Sequence, residues 1–212
     1  MKKILLIEDR YDRQHRFKLQ TGIDLEKYRD VLDNCIEDKY IEFLNEMLQG
    51  TYDLNTYDII ISHKSAFGDN NSILLKKIED HCREYGKPFI LFSGGIVGNY
   101  YNSEVYEVLE LNSKTFYSQN LPLFLEAIKD KNENLLMLSY GKQWKANIIL
   151  NILENLNLYI DTVDDELFKY IDMSKLEQID IGCDTININD EMKKVMNFRD
   201  CLLDIVKDLI DE

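Results

Sequence analysis

Three isoleucines in a row, Ile59-Ile60-Ile61, leave this chain few options. β-Branched side chains favour extended backbone, and a run with no polar alternation belongs to a strand buried on both faces, as in the middle of a parallel sheet. Tyr57-Asp58 precedes the run and Ser62-His63-Lys64-Ser65 follows it, so the strand is expected to end at His63. Open α/β sheets bind ligands beyond the carboxyl ends of their strands. His63 is therefore the first residue to ask about.

Similar runs recur on either side. Ile4-Leu5-Leu6-Ile7 stops at Glu8-Asp9, and Phe89-Ile90-Leu91-Phe92 stops at Ser93-Gly94-Gly95. Val31 to Ile36 reads as an edge strand and Thr115-Phe116-Tyr117 as a fifth strand. Helices are expected between them: 11–20, stopped by Thr21-Gly22; 37–49, with Ile41, Leu44 and Leu48 at helical spacing, Tyr40, Phe43 and Met47 widening the stripe, and Gly50 as the stop; and a helix capped by Ser72 that carries Leu74, Ile78 and Cys82 as far as Gly86. Val105, Val108, Leu109 and Leu111 predict a further helix near 103–111, and Pro122 suits the first turn of one running from Leu121 to Ile128. Strand and helix alternate five times over residues 1–130.

Beyond residue 130 the pattern becomes helical. Trp144, Ile148, Ile152, Leu156 and Ile160 recur every fourth residue, which gives a long helix with a broad apolar face. A short helix is expected after Asp164, Ser174-Lys175-Leu176-Glu177 has the spacing of a capping box, and Asp190 precedes a last helix through Val195, Phe198, Leu202 and Leu209. Ile181 to Ile188 reads as either a loop or a small hairpin. The joining segment Lys129 to Asn134 is polar and lacks Gly and Pro, so the helix before it is expected to run on into the second domain.

The chain has 212 residues and a formal charge of −14, with acid in excess in both halves. Lys and Arg supply most non-specific affinity for phosphate backbones, so no nucleic-acid partner is expected. No stretch approaches a membrane span, and the apolar run after Met1-Lys2-Lys3 is too short for a signal peptide, which places the expected location in the cytoplasm and predicts no membrane contact. Cys35, Cys82, Cys183 and Cys201 form no C-x-x-C pair and are expected to be buried, reduced thiols.

Taken together, ILLIED at 4–9, YDIIISH at 57–63 and KPFILFS at 87–93 resemble a response-regulator receiver domain over residues 1–130. The resemblance implies an α/β fold with a flavodoxin-like, five-stranded parallel sheet, followed by a mostly α-helical C-terminal domain, 131–212. In that family an acidic pair after the first strand holds Mg²⁺, an Asp after the third accepts phosphate, a Ser or Thr after the fourth senses it, and a Lys after the fifth contacts it. Glu8 and Asp9 match the acidic pair and Ser93 the sensing hydroxyl. His63 stands at the phosphoacceptor position, and Tyr117 or Ser118 stands where the Lys belongs, with Lys114 a few residues early. An acyl phosphate needs a carboxylate nucleophile and an adjacent cation. The resemblance is thus to a pseudo-receiver, one unable to run an aspartyl phosphorelay unless Asp69, or Asp58 at the far end of the strand, substitutes as acceptor.

The expected function is non-catalytic: a signalling or regulatory platform for protein partners or for a homodimer, with no organic cofactor. Tyr100, Tyr101, Tyr106 and Tyr117 are the candidate interface, because exposed aromatics anchor interfaces and receivers use that face. The alternative is a metal- or anion-binding site, or an enzyme, built from Glu8, Asp9, His63 and Ser93. Two carboxylates and an imidazole suit a divalent transition metal, and Ser93-Gly94-Gly95 would offer N–H groups to an anion at the start of a following helix.

Overall fold

The computed structural model describes residues 1–179 and 181–211. They form two compact units, Met1–Gly141 and a second beginning at Lys142. The boundary lies beyond the expected residue 130.

In the first unit, β1 (Ile4–Ile7) leads to α1 (Tyr11–Thr21), β2 (Leu32–Cys35) to α2 (Asp38–Gln49), and β3 (Ile59–His63) to α3 (Asn71–Tyr85). Next come β4 (Phe89–Ser93), β5 (Tyr100–Asn102), β6 (Val108–Asn112), the single-turn α4 (Ser113–Phe116), α5 (Asn120–Asp130) and α6 (Met137–Tyr140). The sheet has six strands rather than five, in the order β2-β1-β3-β4-β6-β5. All neighbours pair parallel except β5, which lies antiparallel against β6 at the edge. The architecture is α/β and is compatible with a doubly wound sheet, whose strand order reverses between β1 and β3.

Two expected elements differ. Residues 103–111 were expected to be helical, yet Val108–Asn112 is the last parallel strand, with Leu109 and Leu111 buried and Val108, Glu110 and Asn112 half-buried. Alternation of period two within five residues outweighs a four-residue apolar set too short for a stable helix. Thr115-Phe116-Tyr117 belongs instead to a helical turn, which Asn112 caps by accepting from the Lys114 N–H at 2.9 Å. The crossover from β4 to β6 carries β5 where a helix was expected.

The core explains why the sheet forms where it does. All four residues of β1 and all five of β3 are buried. Leu5, Ile7 and Ile60 pack with Phe43 and Met47 of α2 and Leu74, Ile78 and Cys82 of α3. On α2, Phe43 and Met47 of the expected wide stripe are buried and Tyr40 and Leu44 partly so, while Ile41 and Leu48 at its other edge are exposed. Helix α3 begins at Asn71, one residue before the expected Ser72 cap; the Asn71 side chain instead accepts from Phe67 N and donates to Lys64 O.

The second unit contains α7 (Trp144–Thr162), the short turns α8 (Asp165–Phe168) and α9 (Met173–Leu176), and α10 (Met192–Asp211). Helix α7 buries Ile148, Ile149, Ile152, Leu153 and Leu156, as its spacing requires, and packs against α10. No helix runs through from α5, because Lys131 takes the left-handed conformation that ends it (φ 58°). The α9 turn is preceded by Asp172, whose carboxylate accepts from Ser174 Oγ at 2.6 Å, so the expected capping box does not form. Asp190 accepts from Asn187 N and pairs with Lys194, closing the turn before α10.

Cys183, in the 181–191 loop, is bonded to Cys201 of α10. This corrects the expectation of four reduced thiols, and sequence spacing carried no sign of it. Cys35 and Cys82 are free and buried as expected; burial pushes the Cys82 thiol up to about 12 and Cys35 further. No helix among the described residues is long and apolar enough to cross a membrane.

Candidate functional site

Strands β1 and β3 are paired in register, with Ile7 opposite Ser62, so their carboxyl ends deliver Glu8, Asp9 and His63 to one place. One ligand-type atom from each lies within 4.8 Å of the others. Glu8 and His63 are almost completely buried, whereas Asp9 keeps part of its side chain in solvent. His63 Nδ1 is 2.8 Å from Asp9 Oδ1, and the imidazole packs against Phe92 of the neighbouring strand. Phe92 in turn stacks on Phe116, giving the cluster an apolar floor.

Glu8 is enclosed on every side. One carboxylate oxygen accepts from the Arg10 backbone N–H at 3.0 Å and from Arg13 Nη1 at 3.2 Å; the other accepts from the Tyr117 hydroxyl at 3.0 Å. Gln14 Nε2 donates to the same hydroxyl at 3.4 Å and exchanges hydrogen bonds with Asn34 of β2. Burial pushes the Glu8 carboxyl up to about 7, against the opposing pull of Arg13, Tyr117 and the Arg10 N–H. Burial acts on Asp9 in the same sense, but the His63 hydrogen bond and charge outweigh it and hold this carboxyl below its usual range. Burial, and then the adjacent Glu8 charge, raise the Tyr117 hydroxyl well above its ordinary value.

The other expected residues are not gathered here. Ser93 is half-buried and its Oγ accepts from Gly95 N at 3.4 Å, closing its own turn without touching the cluster. No helix follows Ser93-Gly94-Gly95, so the anion site expected at a helix start is not formed; Asn112 instead ties the loop through the carbonyls of Gly94 and Ile96. Asp58 lies at the opposite end of β3, accepting from Lys3 N at 2.7 Å. Asp69 is exposed in the turn before α3.

Of the four candidate interface tyrosines, Tyr100 alone is exposed, at 53%. Tyr101 is 5% exposed and bonds Glu107, Tyr106 is 9% exposed and bonds Glu79, and Tyr117 turns its hydroxyl onto Glu8. They sit on β5, in the β5–β6 turn and after α4, not on a fourth helix and fifth strand, which is why their exposure differs from expectation. Because β6 ends at Asn112, Lys114 falls two residues past the last parallel strand, in a cleft beside α1.

Arg13 and the inward role of Tyr117 were not visible in the sequence. Arg13 stands in the first turn of α1, and only the fold shows that its partner Glu8 is buried. No family model matches the chain, and neither a curated protein nor a solved structure matches it.

A receiver's Mg²⁺ does not fit these donors. Mg²⁺ asks for a near-octahedral set of oxygens. Here one of the three donors is an imidazole nitrogen, and both oxygens of Glu8 are already committed to Arg13, Arg10 and Tyr117.

Proposed function

We propose that the first unit is a pseudo-receiver of flavodoxin-like type that serves as a phosphorylation-independent platform for a protein partner, with a second copy of the chain as one such partner. One observation carries this reading. The place of a receiver's phosphoacceptor holds a buried imidazole bonded to Asp9, and the remaining acid is closed off by an arginine and a tyrosine. A carboxylate nucleophile is missing, and the groups that would bind a cation and a phosphoryl oxygen satisfy one another. In place of a site that gains and loses phosphate, the sheet ends in a closed ion-pair cluster. Partner contact falls to surfaces that this cluster holds rigid, including exposed Val97, Tyr100 and Val105 around β5.

Thermal unfolding with Mg²⁺ and beryllofluoride tests the proposal, since any ligand of the folded state raises apparent stability. The expected result is an unchanged midpoint. A saturable rise would show a working phosphoryl site and end the proposal.

The proximity of the three donor atoms favours a second reading, in which Glu8, Asp9 and His63 hold a transition metal. Such a metal would have to displace Arg13 from Glu8. Saturable stabilisation by Zn²⁺ or Mn²⁺, lost in His63→Ala, would support this reading against the first.

A further inference from the structure

Next to the closed cluster lies an open cleft of about 460 Å³ between α1 and α4, lined by Arg13, Arg16, Gln20, Ser113, Lys114 and Tyr117. In a chain with 39 acidic and 25 basic residues, it gathers three cations and no carboxylate lines it. The geometry points to this cleft as a binding site for a small phosphate-type anion, either free or carried as a phosphomonoester.

The state of each cation supports that assignment. A guanidinium has five N–H donors in a rigid fork. Among the described residues the Arg13 side chain hydrogen-bonds only from Nη1 to Glu8. The two buried side-chain atoms left without a partner among the described residues are on His81 and Ser139, so the uncommitted nitrogens of Arg13 reach solvent. With the side chain only 15% exposed and held by a fully buried acid, its fork is fixed before any ligand arrives. Among the described residues Arg16 is tied only to Asp12, an exposed pair four residues apart on α1, which costs little to rearrange. The Lys114 side chain is exposed and makes no ion pair among the described residues. Gln20 and Ser113 add neutral polar groups, while Tyr117 lines the cleft with its hydroxyl turned inward onto Glu8.

Such a set suits charge-assisted, forked recognition of phosphate oxygens. A polymer would extend onto an acidic surface, so the ligand is a small one. The cleft shares Arg13 and Tyr117 with the Glu8 cluster, and its occupancy would be felt where a receiver feels phosphorylation. The binding claim itself does not require the pseudo-receiver function.

Isothermal titration of the full chain with inorganic phosphate, a nucleoside 5′-monophosphate and sodium chloride at matched ionic strength tests it. Saturable binding of phosphate or the monophosphate is expected, weakened about tenfold or more by Lys114→Glu and by Arg16→Glu. Both substitutions are at exposed positions, and circular dichroism verifies that the variants fold. Tighter binding of the monophosphate identifies a phosphomonoester ligand; equal binding identifies the free anion. A response no different from chloride, or variants that bind as the parent does, would overturn the proposal. Because beryllofluoride reports on the strand ends and these titrations on the cleft, failure of one is distinguishable from failure of the other.

Discussion

The two units secure their interiors by opposite means. The first encloses an acid and an imidazole at the carboxyl ends of β1 and β3 and satisfies them with Arg13, Tyr117 and Asp9. The second buries apolar faces of α7 and α10 and fastens a loop to α10 with a disulfide. Taking ions out of water costs several kcal/mol each, and well-packed apolar side chains would often serve stability better. A polar cluster that stability does not require points to a site, while a covalent clip points to a loop with little core of its own.

The largest expected effect concerns pH. The Glu8 carboxyl is raised from 4.5 to about 7 in the folded state, so the folded form holds this proton more tightly than the unfolded one. The resulting stability is fully present below pH 4.5 and is lost as pH rises through 7, a change of roughly 3 to 4 kcal/mol at 1.4 kcal/mol per unit. Asp9 works in the opposite sense, because its lowered carboxyl withdraws stability only as pH falls below 3.8. Denaturant unfolding between pH 4.5 and 8 should show the Glu8 slope, and Glu8→Gln should flatten it. A slope unchanged in that variant would place the titrating group elsewhere.

In the second unit the matching test is removal of the clip. Opening a bridge between residues 18 apart should cost about 3 kcal/mol. Cys183→Ser combined with Cys201→Ser should lower the unfolding midpoint and leave the pH slope intact. Loss of that slope would mean the two units do not unfold as separate chemistries.

A smaller effect, about 1 kcal/mol, is expected of Tyr117→Phe, which removes one hydrogen bond from Glu8. The same change should steepen the pH dependence, since that bond lowers the Glu8 value. Smallest is Lys64→Ala: the Lys64–Glu110 pair is exposed and worth under about 1 kcal/mol, so stability should barely change.

How much the sequence disclosed follows from the range of the forces involved. Strands β1, β3 and β4 and helix α7 were legible because burial on both faces, or on one helical stripe, leaves a local pattern of apolar residues. Residues 100–117 were misjudged because a three-residue edge strand and a single-turn helix carry almost no periodicity, and the alternation in β6 rests on two buried positions, Leu109 and Leu111. Glu8, Asp9 and His63 could be placed together because strand ends converge in a parallel sheet. Arg13 and Tyr117 could not, since their partner lies 5 and 109 residues away and a hydrogen bond leaves no composition signal. The Cys183–Cys201 bond escaped for the same reason.

In the proposed reading the imidazole of His63 is committed to Asp9 where a receiver would expose a phosphoacceptor. Nitrogen NMR of the His63 ring, recorded for the protein alone and then with Mg²⁺ and acetyl phosphate, tests it most directly. The expected result is one unchanged pair of ring signals, with Nδ1 in its hydrogen bond throughout. Displacement of those signals together with a phosphoryl adduct in the intact mass would contradict it.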